Sequence, residues 1–296
     1  MTVVIEPIPA EAAPVARGRG RVRQLWAHPS GLVGLVVVTI LVLVAIAAAL
    51  GLTPHPPLKQ NAALRFDAPS FDHWLGTDQF GRDVASRVME GVLASLRVAL
   101  VAVAISALIG SAAGIAAGYF GGWTDRIVGL LTGMLFAFPA ILLALAVLAA
   151  LGRGWFNTVI AIAIVYTPIF VRVARGPVLS VRELDFVKAG RVLGFGPGRL
   201  LLRHVLPNVT APIIVQIALA LSWAILTESS LSFLGLGTQP PDPSLGLMVS
   251  EARTLVTRGW WLMAGPASAI VLAVIGLNLL GDGLRDAFDP TRSTRR

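Results

Sequence analysis

Long apolar runs separated by short polar stretches set the pattern of this chain. Gly31 to Leu52 is uncharged and about as long as a membrane-crossing helix requires. Further runs cover Leu96–Tyr119, Ile127–Leu151, Thr158–Val173, Ala211–Leu231 and Met263–Leu280. These predict six transmembrane helices in an all-α integral membrane protein. The third run is interrupted by Pro139 and the fourth by Pro168. A proline is tolerated inside a span where neighbouring groups satisfy the freed carbonyl. Ser30 is placed to cap the first helix. Ala45–Ala49 resembles a signal-peptide cleavage region, but the run exceeds the roughly 7–15 residues of a signal core and reads as a retained helix. Gly110, Gly114 and Gly118 recur every four residues, which gives the second span a smooth face for close helix packing.

The polar stretches define the rest of the organisation. Residues 1–30 form a basic N-terminal segment with Arg17, Arg19, Arg21 and Arg23, and residues 31–52 the first span. Residues 53–94 are polar and proline-containing, and their later part, Asp83–Leu93, looks helical. Residues 95–284 hold the other five spans, broken by polar segments at 180–207 and 235–262, and 285–296 is a tail.

The 180–207 stretch is polar and basic, with long apolar runs on both sides. Ser180 with Glu183 three residues on predicts a capping box and a helix start. Phe186, Val187, Gly190, Val192 and Leu193 would share one broad face. Gly194 and Gly196 suit the left-handed end of that helix, and Pro197 blocks its continuation. A second short helix, Arg199–Leu206, would stop before Pro207.

Composition agrees with lipid as the solvent: 55% of the residues are hydrophobic and 14% charged, against roughly a quarter charged in soluble domains. Net charge is +8, but nucleic-acid motifs and aromatic–basic interleaving are absent. The basic residues instead orient the spans. The N-terminal segment, Arg126, the 172–207 stretch and the tail hold 16 of the 24 Lys and Arg; the opposite side holds 7, and Arg97 ends a span. The richer side is expected to be cytoplasmic, with both termini there and 53–94 and 235–262 outside.

Enzyme chemistry finds little support. The chain lacks a P-loop, a His-Glu-x-x-His motif and a nucleophile-elbow motif. There is no cysteine, which removes thiolate ligands and disulfides. His28, His55, His73 and His204 lie far apart in sequence and read as surface or interfacial residues, with no metal site built from them. Few polar groups fall near or within spans: Gln216, Ser222, Thr227, Glu228 and Asn278. Such groups face a bundle interior or a water-filled path. Gln216 and Asn278 are pore-lining candidates, with interhelical hydrogen bonding as the equal alternative. Glu228 is placed near the outer mouth, ionised in water, and either paired with an arginine or drawing a cationic solute group. Ionisable groups for a proton or ion relay are scarce, which disfavours a self-sufficient secondary transporter or channel.

The 180–207 stretch resembles the cytoplasmic "EAA" loop of type I ABC-importer permeases. Lys188-Ala189-Gly190 takes the first three positions and Gly194 the glycine; nine residues follow, then His204 at the hydrophobic position and Leu206-Pro207. Lys188 stands where the pattern has Glu and Gly190 where it has Ala. Leu75-Gly-Thr-Asp-Gln-Phe-Gly-Arg-Asp83 with Ser86-Arg87, Phe136-Ala-Phe-Pro139, Glu228-Ser-Ser-Leu-Ser-Phe-Leu-Gly-Leu-Gly237 and Gly281-Asp-Gly-Leu-Arg-Asp286 are similar to the C-type permease of the dipeptide/oligopeptide/nickel subfamily. The resemblance implies the type I permease fold with a cytoplasmic coupling helix, in a bacterial or archaeal cytoplasmic membrane. It implies a homologous second permease chain, two ATPase subunits that bind ATP and Mg, and an external solute-binding protein. It implies peptides as solute, with nickel chelates, glutathione or opines as alternatives, and no cofactor in this chain. Glu183, Asp185, Phe186, Lys188, Ala189, Gly190, Gly194, Phe195 and Pro207 are then the candidate ATPase-coupling residues.

Overall fold

The computed structural model describes residues 29–288; the arginines at 17–23 and the final eight residues, with the expectations placed on them, lie outside that range. The first helix, α1 (Pro29–Ala49), leads through a polar segment with one short 3-10 turn, Ala62–Leu64, to α2 (Val84–Phe120). Then come α3 (Gly122–Phe136), α4 (Ala140–Leu151) and α5 (Trp155–Val181). The short α6 (Asp185–Val192) and α7 (Pro197–Leu200) follow, and a π turn, Leu201–Val205, joins α7 to α8 (Leu206–Phe233). After α9 (Leu245–Ala252), α10 (Trp261–Phe288) closes the described chain. No strand occurs among the described residues.

Five helices are long and apolar enough to cross a membrane, or six if α3 and α4 form one span. The pair is bent by 93° across a short break. A proline kink alone was the expectation there. The residue before a proline is pushed out of the α region, and Pro139 itself is extended, at φ −55° and ψ 133°, so the chain restarts as a new helix at Ala140. At 37 residues, α2 is about 55 Å long at 1.5 Å per residue. It joins the sequence-level helix Asp83–Leu93 and the second span into one rod that exceeds the roughly 30 Å hydrocarbon layer.

The core lies between α2, α5 and α8. Along α2 the three glycines face α5 closely: a Cβ on Gly110 would sit 2.5 Å from the Thr167 carbonyl oxygen, and one on Gly118 2.9 Å from the Val178 side chain and 3.1 Å from the Arg175 carbonyl oxygen. Apolar side chains fill the space beside them, with Phe170, Ile162 and Val98 almost fully buried. The first helix joins the bundle by a second close approach, where a Cβ on Gly276 of α10 would lie 2.6 Å from Val37.

Candidate functional site

The loop between α5 and α8 differs locally from its sequence reading. Ser180 belongs to the last turn of α5, so the Ser180–Glu183 pair caps nothing; Glu183 N–H instead donates to the Ser180 carbonyl as that helix ends. The next helix starts at Asp185, after Leu184. Gly194 has φ +75°, and the amide of Phe195 donates to the Gly190 carbonyl at 3.0 Å, which closes the left-handed cap. Gly196 has φ −62°, and Pro197 opens α7 as its first residue. The chain then runs on through Pro207 without a break. The π turn at 201–205 precedes that proline, and such bulges relieve the local backbone mismatch that proline brings.

The broad face expected on α6 is divided. Val187 and Gly190 are buried, whereas Leu184, Phe186, Val192 and Leu193 are exposed, Val192 at 89%. Gly190 admits its neighbours closely: a Cβ there would be 2.7 Å from Leu200 Cδ2 and 3.3 Å from Phe195 Cδ2. His204 lies between two rings, stacked on Phe195 and tilted against Phe186, each with centroids 6.2 Å apart. Arg199 lies over Phe195 at 4.3 Å, and Arg191 reaches Tyr119 at the end of α2 at 5.4 Å. Asp185 opens α6 at its positive end. Lys188, in place of the pattern's acid, is exposed and 3.6 Å from Glu183, which Arg182 also approaches at 3.2 Å. Ala189 is exposed on the same outer side. The result is a short amphipathic helix clamped at its back by Gly190, Phe195 and His204, presenting apolar and basic side chains outward. The role of His204 was not legible in sequence, because its ring partners are set by the return path of the chain.

Deeper in the bundle, Gln216 lines two cavities. One, of about 400 Å³, includes Val173, Leu219 and Arg285. The other, of about 300 Å³, is bounded by Phe136 and Phe138 of the bent pair with Tyr166 and Trp223. Asn278 is committed elsewhere: its amide donates to Ser222 Oγ at 2.7 Å and to the Val274 carbonyl at 2.9 Å, tying α10 to α8. Glu228 is 1% exposed. Its carboxylate accepts from Ser95 Oγ at 2.6 Å, Ser232 Oγ at 2.7 Å and, at the edge of bonding, Ser229 Oγ at 3.5 Å. Neither a water-exposed position nor an arginine partner is found for it; the position along α8 gave no sign of the serine of α2 that meets it.

Outside the bundle, the 75–83 stretch is a knot of backbone turns. Gly76 and Gly81 hold φ of +66° and +70°, and a Cβ on Gly81 would overlap the Asn61 carbonyl. Asp78 accepts from the amides of Phe80 and Arg82 and from Arg82 Nε at 2.6 Å. Arg87, almost fully buried, lies 3.6 Å from both Asp78 and Glu251 of α9, so the outer segment is locked onto the second polar loop. Trp261 of α10 donates to the Thr77 carbonyl at 3.2 Å. Asp83 caps α2 through Ser86. Folding also brings His55 and His73 together, with ring centroids 4.5 Å apart, which corrects their reading as separate surface residues.

A bundle of membrane-length helices, one of them broken at a proline, with a clamped amphipathic loop helix and a polar residue between two open cavities, suits a transport subunit. The model of the binding-protein-dependent transport system inner membrane component matches residues 110–294, and that of the N-terminal TM domain of oligopeptide transport permease C matches residues 18–69. The chain belongs to the binding-protein-dependent transport system inner membrane component family. It is 43% identical over 276 residues to the dipeptide transport system permease protein DppC of Alkalihalophilus pseudofirmus, covering 93% of this chain and 90% of that one. It is 40% identical over 268 residues to a putative peptide transport system permease protein of Brucella abortus, covering 90% of each. With the glutathione transport system permease protein GsiD of Escherichia coli it shares 46% identity over 224 residues, 76% of this chain and 74% of the relative.

Proposed function

We propose that this chain is the C-type permease subunit of an ATP-driven peptide importer and forms half of its translocation pore. The clamped α6 helix carries this reading: it packs on the returning loop, Gly190 against Leu200 and Phe195 and Phe186 against His204, while Leu184, Val192 and Leu193 are exposed. A fixed helix transmits a push as a rigid body, which a bistable bundle converts into alternating access. The push comes from an ABC ATPase subunit that holds the ATP and Mg; two such subunits serve this chain and a homologous second permease. The exposed bent pair and Trp223, beside the cavity that Gln216 lines, supply the face for that second permease and the pore. An external solute-binding protein delivers to the locked outer segment. The excess of arginine and lysine supports a cytoplasmic α6 and cytoplasmic termini in a bacterial or archaeal cytoplasmic membrane. The solute reading rests on the names of the relatives, which specify dipeptide, peptide and glutathione.

The chain has no cysteine, so Ala189→Cys creates a unique thiol. It is expected to cross-link to a copurifying P-loop ATPase and to be reached by impermeant thiol reagents only from the cytoplasmic side. Full ATP-independent peptide uptake by the isolated chain would refute the subunit reading.

A further inference from the structure

The outer segment holds a cluster that the transport reading does not use. His55 and His73 lie against each other, and Asp72 spans them: Asp72 Oδ1 is 3.6 Å from His55 Nε2, and Oδ2 is 3.8 Å from His73 Nε2. One ligand atom from each of the three lies within 4.8 Å of the others. We infer that His55, Asp72 and His73 form a binding site for a divalent transition metal of the zinc type on the outer face of this permease.

Four arguments support this. The first is spacing. With Zn–N and Zn–O near 2.0–2.1 Å, the ligand atoms of a tetrahedral site stand about 3.4 Å apart. Each imidazole Nε2 comes within a few tenths of an ångström of that spacing from one Asp72 oxygen, a different oxygen for each ring, and with one ligand atom taken per residue the set lies within 4.8 Å. Asp72 is the member free to close the gap, because its side chain is 80% exposed.

The second is the state of His73. Its Nδ1 is 2.8 Å from Asp83 Oδ1, and the other Asp83 oxygen accepts from Ser86 N–H and Oγ–H, both at 2.7 Å. Asp83 is therefore an acceptor, so His73 Nδ1 carries the donated hydrogen. With the ring neutral, as metal binding requires, that hydrogen bond leaves Nε2 unprotonated and facing the Asp72 carboxylate. Two electron-rich atoms facing at 3.8 Å leave room for a cation between them. A carboxylate behind a ligating imidazole is also the usual support for a metal-bound histidine, fixing the ring and raising its basicity.

The third is His55. Its Nδ1 is buried and makes no hydrogen bond, and it lies 3.9 Å from the same Asp83 oxygen. A metal at Nε2 would draw that ring into place and give the orphaned nitrogen its acceptor.

The fourth is preorganisation. The His55 amide donates to Ser86 Oγ at 3.0 Å. Ser70 and His73 exchange hydrogen bonds, with Ser70 N–H on the His73 carbonyl at 2.8 Å and His73 N–H on Ser70 Oγ at 3.1 Å. Both imidazoles are thus carried on backbone already pinned near the N-terminus of α2. Three protein ligands leave one position open to water, and the bound ion would clip the segment after α1 to the turn at residues 70–73.

The test uses the full-length, tag-free chain in detergent, stripped with EDTA and desalted. Zn²⁺ is titrated against a competing chelator dye, and Co²⁺ provides a visible spectrum that reports coordination number. Wild type should hold one Zn²⁺ per chain and give the intense bands of four-coordinate Co²⁺. His55→Gln and Asp72→Asn should each weaken binding by about tenfold or more, on the scale seen for disrupted metal shells, while His204→Gln, at the opposite end of the molecule, leaves it intact. Thermal unfolding without metal checks that the variants fold. Zn²⁺ affinity unchanged in His55→Gln, loss of binding equally in His204→Gln, or a six-coordinate Co²⁺ spectrum in wild type would overturn the site.

Discussion

Glu228 is a carboxylate held by hydroxyls from its own helix and from α2, with 1% of its surface exposed. Each serine keeps its donor satisfied only while an acceptor of that length is present. Replacing it with lysine would set an ammonium among donors and leave the serines without their acceptor. An unpaired buried ion costs several kcal/mol, so Glu228→Lys should abolish assembly, seen as loss of a monodisperse peak on size exclusion. Glu228→Gln retains one acceptor oxygen and should cost about 1–3 kcal/mol, with the chain still assembled. An assembled Glu228→Lys variant would show that the serine cluster does not hold α2 to α8. Gly194 behaves differently. A Cβ there meets nothing within 4 Å, so the restriction is φ +75° alone. A β-branched residue in that region costs about 1–3 kcal/mol. Gly194→Val is therefore expected to leave insertion intact and to lower stimulation of the reconstituted ATPase by loaded binding protein; wild-type stimulation would count against a coupling role for the cap.

At the scale of elements, the contact of α2 with α5 is made possible by small residues rather than by large apolar ones. In lipid the driving force between helices comes from packing and not from hydrophobic transfer, so the interface depends on how closely the backbones approach. Gly110→Leu would force the side chain into Thr167 and Phe170, and overpacking of this kind costs about 1–3 kcal/mol or more. A lowered melting temperature in detergent is expected, whereas Gly129→Leu, where a Cβ meets nothing within 4 Å, should leave it near wild type. The four-residue glycine spacing was legible in sequence because it is a property of one helix face. Its partner was not, since the residues of α5 that receive it are more than fifty positions away. The same division holds for the loop at 180–207. Gly194 and the helix before it followed from local rules. The displaced start at Asp185, and the continuity of helix through Pro207, did not: the end of α5 absorbed Ser180, and the π turn accommodated the proline.

At the scale of the whole molecule, the outer segment, α9 and α10 are joined through Arg87, Glu251, Thr77 and Trp261, while the α6 loop stands at the other end of the long helices. A unique cysteine at Asp72 and one at Ala189 should therefore label from opposite faces of the membrane, which sealed vesicles of known orientation would read directly. Labelling of both from one face would contradict the six-crossing arrangement. What the amino-acid order determined by itself was the class of the protein: apolar runs, glycine spacing and loop motifs depend on separations of a few residues, and those survive without coordinates. The tertiary structure alone decided which distant groups met. It placed Glu228 with Ser95, His204 between Phe186 and Phe195, and His55 against His73. Each of those contacts is set by how helices cross and loops return, and a linear pattern carries no record of the crossing.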